Sequence, residues 1–163
     1  MFDFTPPADA GSMSKSEQYA LLAEQAAALL AGEPDRIAKA ANFAALLFHG
    51  LHDLNWAGLY FYDGTELVVG PFQGKPACVR IPLGKGVCGT AASTRQTQVI
   101  DDVDAFEGHI ACDSESRSEV VVPLVKDGEL IGVLDIDSPK TSRFDDEDRV
   151  GCERLAAVLL AEW

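Results

Sequence analysis

One stretch near the end of the chain restricts the possible folds more than any other. It contains two runs of mostly apolar residues, 119–125 and 129–137, on either side of Lys126-Asp127-Gly128. An Asp-Gly pair between two such runs is a strong indication of a β-hairpin. Because successive side chains of a strand point to opposite faces, the pairing of the two runs decides which residues are buried.

Two pairings of this hairpin differ in what they bury. A two-residue turn pairs Lys126 with Glu129 and places Asp135 on the same face as the valines of the first strand. A three-residue loop with a G1 bulge at Gly128 pairs Val125 with Glu129 instead. An unpaired carboxylate in the core costs several kcal/mol, far more than a bulge, so the sequence predicts the three-residue loop.

The three-residue loop gives the hairpin one acidic face and one apolar face. We expect Glu119 to lie opposite Asp135, with Asp137 two residues further along the same face. The other face, which helices would cover, contains only apolar or small residues: Val120, Val122, Leu124, Leu130, Gly132, Leu134 and Ile136.

An aromatic face accompanies the acidic one. Residues 55–62 alternate and place Trp56, Tyr60 and Tyr62 on one side of a strand. If the strands are neighbours, the rings and the carboxylates line one pocket, and crowding of like charges raises the pKa of at least one carboxyl group. That group then stays protonated and can donate a proton. The pattern leaves open the alternative of an ordinary solvated sheet face.

The remaining elements complete an α+β domain with a mostly antiparallel sheet and helices on one face. A capping box at 14–17 opens a helix that ends at Gly32, and Pro34 suits the first turn of a second helix. A short helix (87–95), a terminal helix (145–163) and strands 67–70, 77–82 and 98–100 are also predicted. A chain of 163 residues suits one domain, here 14–163, preceded by a flexible tail, 1–13.

The charge of the chain excludes some classes of partner. Thirteen basic and twenty-six acidic residues give a net charge of −13, which repels nucleic acid and anionic membrane surfaces. No apolar run approaches the ~18 residues of a membrane span, and the first residues do not resemble a secretory signal. We therefore expect a cytoplasmic protein and a substrate that carries a positive group.

The four cysteines, Cys78, Cys88, Cys112 and Cys152, should face a reducing cytosol, where permanent disulfides are rare. Cys112 is exceptional because it lies in a polar segment, GHIACDSESRSE, directly before an apolar strand. Cys152 lies on the terminal helix and suits the core. The other three lie at the ends of elements, where an active site could gather a nucleophile and partners able to form a disulfide. Three unrelated cysteines remain the alternative.

The segment 84–89, GKGVCG, fits the dinucleotide-binding pattern G-x-G-x-x-G, but its helix is short and the strand before it ends in Pro82. Dinucleotide binding is therefore not favoured. The segment does place Cys88 at a helix start, where amides and the helix dipole favour an anion or a thiolate. A zinc site formed by His109 and three cysteines is not favoured either, because paired C-x₂-C spacings are missing, and we expect no metal.

These motifs together resemble a known family. The stretches NWAGLYFYDG, LVVGPFQGKPACVRIPLGKGVCGTAA, GHIACDSESRSEVVVPL and IGVLDIDSP, which lie between residues 55 and 139, are similar to a GAF domain. More narrowly, the three cysteines with GHIACD and LDIDS resemble the free methionine-(R)-sulfoxide reductases. The resemblance implies a single GAF domain with the pocket on the sheet face opposite the helices.

The resemblance also implies a role for each matched residue. Cys112 matches the family's catalytic nucleophile, Cys78 its resolving cysteine and Cys88 its third redox cysteine, with the division of work between the last two left open. The pocket carboxylates and aromatic wall match Glu119, Asp135, Asp137, Trp56 and Tyr60. Glu119 is the expected proton donor, and Asp135 and Asp137 are expected to hold the substrate amine.

The reaction implied by the resemblance is reduction of free L-methionine (R)-sulfoxide through a sulfenic acid on Cys112 and a disulfide with Cys78. No bound cofactor is implied. Thioredoxin would restore the enzyme with electrons from NADPH through thioredoxin reductase, and a homodimer is possible by the same resemblance. Backbone amides within 113–118 are candidates to hold the substrate carboxylate. Two other functions stay open: a GAF sensor that binds a small ligand without turnover, and an interaction domain with incidental cysteines.

Overall fold

Six strands form one antiparallel sheet in the order β3-β2-β1-β6-β5-β4. The computed structural model describes residues 4, 12–110 and 113–163. Its strands are β1 (Trp56–Tyr62), β2 (Glu66–Gly74), β3 (Arg80–Pro82), β4 (Gln98–Ile100), β5 (Ser118–Lys126) and β6 (Glu129–Ser138). Its helices are α1 (Lys15–Leu30), α2 (Arg36–Gly50), α3 (Gly86–Thr94) and α4 (Asp146–Ala161), with a 3₁₀ turn at Val103–Ala105.

The two faces of the sheet carry two separate apolar clusters. Residues of α1, α2 and α4 pack on one face against side chains such as Leu59, Val122 and Leu134. The other face packs against α3 through a smaller cluster that includes Trp56 and Tyr60. The α+β arrangement expected from the sequence is therefore confirmed, with α1, α2 and α4 on the face opposite the aromatic one.

Side-chain caps fix where the long helices begin. Ser14 and Glu17 form the capping box expected for α1, and Asp145 forms a second one with Asp148 at the start of α4. The second helix begins at Arg36, slightly later than expected. Asp35 is its N-cap, so Pro34 lies before the helix and not in its first turn.

The β5–β6 hairpin corrects the predicted register. Lys126 pairs with Glu129 across a two-residue turn in which Asp127 and Gly128 both have positive φ. A bulge does occur, but it lies in β6 at Ile131, where the pairing shifts. The preference for a loop bulge at Gly128 was therefore wrong, because Asp-Gly satisfies the tight turn and the extra residue is absorbed further along the strand.

This bulge restores the predicted faces beyond it. Glu119 pairs with Asp137, and Val121 pairs with Asp135, so the expected Glu119–Asp135 pairing is wrong by two residues. A shift of two residues leaves each side chain on the same face, so the acidic face is as predicted. Leu130 is the exception. It precedes the bulge and packs against the α3-side cluster, whereas Ile131 packs against the large core.

The segment before β3 is less regular than predicted. The strand expected over 77–82 spans only Arg80–Pro82, so Cys78 lies in an irregular connection and not on a strand. Most of the predicted tail, 1–13, lies outside the described residues, although Phe4 packs against the large core. None of the helices in the described part of the chain is long and apolar enough to span a membrane.

Candidate active site

A pocket of about 510 Å³, partly open to solvent, lies between α3 and the sheet. Its lining contains six of the eight site residues predicted from the sequence: Trp56, Tyr60, Cys88, Glu119, Asp135 and Asp137. The remaining two predicted site residues are Cys78 and Cys112. Cys78 packs beside the pocket, in the α3-side cluster, and Cys112 lies outside the described residues.

Strand pairing in the centre of the sheet brings the acids and the rings together. Asp137 is paired with Trp56 of β1 on one side and with Glu119 of β5 on the other. Asp135 is paired with Gly58, where a Cβ atom would lie 2.3 Å from the Cβ of Phe72. A glycine is therefore required at this point, because β1 and β2 approach each other closely beneath the pocket.

Glu119 and Asp135 are buried and Asp137 is half-buried, and removal from water shifts the pKa of each carboxyl group. Glu119 and Asp135 are each only 6% exposed. Burial, followed by the charge of Asp135, raises the pKa of Glu119 well above its usual value, and the pKa of Asp137 is raised for the same two reasons. Burial raises the pKa of Asp135 to about 6. The expected rise is therefore confirmed, with burial a larger cause than like-charge crowding.

Cys88 faces this acidic group as a thiol. Its Sγ lies 3.9 Å from Oε1 of Glu119, and the residue is 4% exposed. Burial, then the charges of Asp135, Glu119 and Asp137, raises the pKa of the Cys88 thiol well above its usual value. The expectation that the start of α3 would favour a thiolate here is therefore wrong, because burial and carboxylates outweigh the helix dipole.

The aromatic wall is rigidly held. The ring of Trp56 stacks on Phe72 at a centroid distance of 5.1 Å and on Tyr60 at 5.8 Å. The Trp56 indole donates a hydrogen bond to the carbonyl of Lys75 (3.2 Å), and the Tyr60 hydroxyl donates one to the carbonyl of Cys78 (3.1 Å). Both predicted wall residues therefore also fix the connection between β2 and β3.

The described cysteines have different states. Cys78 is half-buried and disulfide-bonded, whereas Cys88 and Cys152 are free thiols. Cys152 is fully buried in the large core, 3.7 Å from the Tyr19 hydroxyl, and burial raises its pKa to about 12. The prediction that Cys152 is a buried residue of the apolar core is confirmed.

Several pocket residues were not identified from the sequence as functional. His109 had been considered only as a zinc ligand, but its Nε2 lies 4.0 Å from Oε2 of Glu119, and burial lowers its pKa. Asn55 donates hydrogen bonds to Asp113 (3.1 Å) and Ser116 (2.9 Å), which also line the pocket. Asn55 directly precedes β1, yet no local pattern links it to partners about sixty residues away.

The loop amides suggested for the substrate carboxylate are largely occupied. The amide of Glu115 donates to Oδ1 of Asp113, that of Ser116 to the Asp113 carbonyl, and that of Arg117 to the carbonyl of Ser138. These three amides stabilise the loop itself, so they are not the groups that hold a substrate carboxylate.

The glycine-rich segment 84–89 also has a structural role. A Cβ atom on Gly89 would lie 2.4 Å from the carbonyl oxygen of Pro82, so the glycine permits close packing of α3 against β3. The sheet is antiparallel and lacks the βαβ unit of dinucleotide-binding folds. In the described part of the chain, donor atoms of Cys88, Glu119 and Asp135 lie within 4.8 Å of one another, a set different from the zinc ligands considered from the sequence.

Comparison with known proteins places this arrangement in a family. The family model for the GAF domain matches residues 35–161. The free methionine-R-sulfoxide reductase of Escherichia coli (strain K12) is 55% identical over 147 residues, which cover 90% of this chain and 89% of that protein.

Solved structures agree with this result. The X-ray structure of the free methionine-R-sulfoxide reductase of Neisseria meningitidis in complex with its substrate is 43% identical, with a TM-score of 0.92 over 99% of this chain and 95% of that chain. A crystal structure from Burkholderia vietnamiensis, described as a candidate GAF sensor protein, is 70% identical, with a TM-score of 0.90 over 92% and 96% of the two chains. The resemblance seen in GHIACD and LDIDS is thus confirmed over nearly the whole chain, which belongs to the GAF domain family and, within it, to the free methionine-(R)-sulfoxide reductases.

Proposed function

We propose that this protein is an oxidoreductase that reduces free L-methionine (R)-sulfoxide to L-methionine. The observation that carries the proposal is the group of buried Glu119 and Asp135 and half-buried Asp137 beside a fixed aromatic wall. Such a pocket suits a small substrate with an ammonium group at one end and an apolar sulfur group at the other. Two relatives, from E. coli and N. meningitidis, bear the name of this activity.

The substrate ammonium group would bind at Asp135 and Asp137. Oδ1 of Asp135 is buried and has no hydrogen-bond partner among the described residues. A buried carboxylate oxygen without a partner is costly, and a bound ammonium group would satisfy it. A methionine within a polypeptide lacks this group because its nitrogen is part of an amide, so the pocket would select the free amino acid.

Glu119 is the proposed proton donor. A sulfoxide oxygen is a poor leaving group until it is protonated, and the raised pKa of Glu119 lets it keep a proton to a higher pH than an ordinary glutamic acid does. The thiolate of Cys112 would attack the substrate sulfur while the oxygen receives this proton. The substrate sulfur–oxygen bond and the newly formed sulfur–sulfur bond then break, the oxygen with its proton bonds to the Cys112 sulfur as a sulfenic acid, and methionine is released.

Cys78 would then resolve the sulfenic acid. Its thiol attacks the Cys112 sulfur, water leaves, and a disulfide forms, so that two thiols supply the two electrons of the reduction. Cys78 is disulfide-bonded and half-buried in this structure, which supports the resolving role, whereas Cys88 is a buried thiol directed at Glu119. We therefore assign Cys88 an auxiliary role at the acidic group.

The remaining steps of the proposal concern partners. A thioredoxin-type dithiol would reduce the disulfide, with electrons from NADPH through thioredoxin reductase, and no bound cofactor takes part. A cytoplasmic location belongs to this proposal because such reductants work there. A homodimer, suggested by the family resemblance, would be compatible with this cycle.

A second function is favoured by one observation. The relative that shares 70% of its residues with this chain is described as a candidate GAF sensor. A sensor would bind the same kind of ligand in the same pocket without consuming it, so turnover separates the two functions.

The test is oxidation of NADPH coupled through thioredoxin and its reductase. Free methionine (R)-sulfoxide, the (S) epimer and an N-acetylated (R)-sulfoxide would be compared for the wild type and for Cys112→Ser. We expect turnover of the free (R) form alone and a loss of at least roughly 100-fold in Cys112→Ser. Cys152→Ser is the matched control and should retain activity, since Cys152 lies in the core away from the pocket. Equal rates for the free and acetylated substrates would refute the ammonium site, and activity in Cys112→Ser would refute the nucleophile.

A further inference from the structure

The three cysteines whose surroundings are described differ in how an external reductant could reach them. Cys88 is 4% exposed and Cys152 is fully buried, whereas Cys78 is half-buried and disulfide-bonded. Thiol–disulfide exchange requires direct contact between the attacking sulfur and one sulfur of the disulfide. Electrons must therefore enter near Cys78.

The residue after Cys78 has an exposed apolar side chain. Val79 is 62% exposed, one of three large hydrophobic residues so exposed in the described ranges, the others being Ile37 and Val150. Single exposed apolar side chains are common in proteins, but Val79 is distinguished by its position directly after the disulfide-bonded Cys78, where a reductant must make contact. Ile37 and Val150 lie on α2 and α4, on the opposite side of the sheet from the pocket.

The backbone around Val79 is held in place. The carbonyl of Cys78 accepts a hydrogen bond from the Tyr60 hydroxyl (3.1 Å), and the carbonyl of Val79 accepts one from the amide of Val69 (2.9 Å). These bonds fix the inner side of the segment against β1 and β2. The exposed Val79 side chain therefore sits on a preformed surface and needs little ordering to bind a partner.

The neighbouring strand offers a second element for contact. β3 is the last strand on its side of the sheet and pairs only with β2, through residues 66–68. In the part of the chain that the structure describes, no strand covers its outer edge. An edge strand is a common place for another protein to add main-chain hydrogen bonds, and here Arg80 and Ile81 are the candidates, because Pro82 has no amide hydrogen and its carbonyl accepts from the Lys85 amide (3.1 Å).

We propose that Val79 and the outer edge of β3 form the docking surface for the protein dithiol that reduces the Cys78 disulfide. This inference rests on the proposed function, in which the disulfide joins Cys78 to Cys112. A thiolate of the reductant attacks Sγ of Cys78, a mixed disulfide forms, and the other cysteine leaves as a thiolate. The second thiol of the reductant then attacks its own mixed-disulfide sulfur, which oxidises the reductant and releases reduced Cys78.

The test measures reduction of the disulfide without any sulfoxide substrate. Oxidised wild type, Val79→Ser and Val150→Ser would be mixed with reduced thioredoxin, and the remaining disulfide would be followed by thiol alkylation and mass spectrometry. We expect the rate constant of Val79→Ser to fall about tenfold, the effect of losing one good anchoring contact. Val150→Ser is the matched control, because Val150 is a 52% exposed valine remote from the disulfide, and it should react like the wild type.

A second arm uses dithiothreitol, which is too small to need a docking surface. All three proteins should react with it at the same rate, since the disulfide itself is unchanged. Equal thioredoxin rates for Val79→Ser and Val150→Ser would overturn the proposal. The proposal would also be overturned if the rate constant of Val79→Ser fell equally with dithiothreitol, or if thioredoxin did not reduce the wild type. Because no sulfoxide is present, a failure of the proposed reductase activity would appear in the substrate assay and not here.

Discussion

The side chain of Asp135 is held in an unfavourable state that a substrate could relieve. One of its oxygens is buried without a hydrogen-bond partner among the described residues, and burial raises its pKa to about 6. At neutral pH this carboxyl group is therefore mostly charged, although less completely than an ordinary aspartate. A cation placed beside it would favour the charged form and bind to it strongly.

Replacing Asp135 by asparagine tests this role. Asp135→Asn keeps the shape of the side chain but removes the charge that binds ammonium, a contact worth about 1.5–3 kcal/mol. We expect KM for free methionine (R)-sulfoxide to rise by at least about tenfold, with a smaller change in kcat, in steady-state assays. Asp127→Asn, in the exposed β5–β6 turn, is the control and should behave as the wild type. An unchanged KM in Asp135→Asn would remove Asp135 from the binding site.

The pKa of Glu119 predicts how the rate depends on pH. Burial and the charge of Asp135 raise this pKa well above its usual value, so the acid keeps its proton to a higher pH than an ordinary glutamic acid does. We expect kcat to decline as the pH rises through that raised value, because the donor is then lost. Glu119→Gln should lower kcat by roughly 100-fold and abolish this alkaline decline. If the variant kept the same decline, another group would be the donor.

The sequence could identify site residues only where their own neighbourhood reveals them. The acids of β5 and β6 were found because alternation placed them on one face beside aromatic residues. The sequence does not reveal the pocket residue His109 or Asn55, which supports the pocket residue Asp113, because their contacts with Glu119 and Asp113 depend on how two distant segments fold together. The alternation of apolar and polar residues along a strand predicts which face a residue occupies. It does not predict contacts with residues in a distant loop.

At the scale of elements, burial predicted the faces of the hairpin but not its register. The requirement to keep Asp135 out of the core correctly separated the acidic face from the apolar one. The same requirement is met by a bulge anywhere before Asp135, and the preference of Asp127-Gly128 for a tight turn excludes the bulge from the loop. The position of the bulge decides whether Leu130 or Ile131 faces the large core, but both are apolar, so burial gave no means to choose between the positions.

The start of α3 shows a similar limit. The sequence correctly placed Cys88 near a helix N-terminus, and from this a thiolate was expected. The structure buries Cys88 and places three carboxylates of β5 and β6 near it, and both effects raise the pKa of the thiol. A helix dipole contributes at most about 2 kcal/mol, less than such burial costs a charged group.

The C-terminal end of α4 depends on a lysine from the hairpin. Nζ of Lys126 donates hydrogen bonds to the carbonyls of Leu160 (3.1 Å) and Trp163 (2.6 Å), and the Leu160 carbonyl also accepts one from the Trp163 amide (3.3 Å). We expect Lys126→Met to lower the free energy of unfolding by about 1–2 kcal/mol in urea titrations. Lys140→Met, which removes a surface ion pair with Asp53, should change it by less than about 1 kcal/mol. Equal effects of the two substitutions would show that the cap contributes nothing specific.

At the scale of the whole molecule, two acidic groups make stability depend on pH in opposite directions. Burial raises the pKa of Asp135 to about 6, so its contribution to stability is present in acid and is lost as the pH rises through that value. Burial also acts on Asp148, but Lys15 and Arg143 lower its pKa to about 2, so its contribution is lost as the pH falls towards that value. Stability should therefore be greatest in mildly acidic solution.

Urea titrations at pH ~5 and ~8 test this balance. We expect the free energy of unfolding of the wild type to be lower at the higher pH by roughly 1–3 kcal/mol. Asp135→Asn should reduce this difference because it removes one of the buried acids, whereas Asp127→Asn should preserve it. The same difference in both variants would show that the buried acids do not set the pH dependence.

The most direct measurement of the central claim counts methionine formed in a single turnover. Fully reduced protein, freed of all reductant, would be mixed with an excess of racemic free methionine sulfoxide, and methionine and each remaining epimer would be quantified by chiral chromatography. If the thiols of Cys112 and Cys78 supply the two electrons, about one methionine should form per chain, only the (R) epimer should be consumed, and Cys112→Ser should form none. A protein that binds the sulfoxide but forms no methionine would contradict the account and leave a ligand-binding GAF domain in its place.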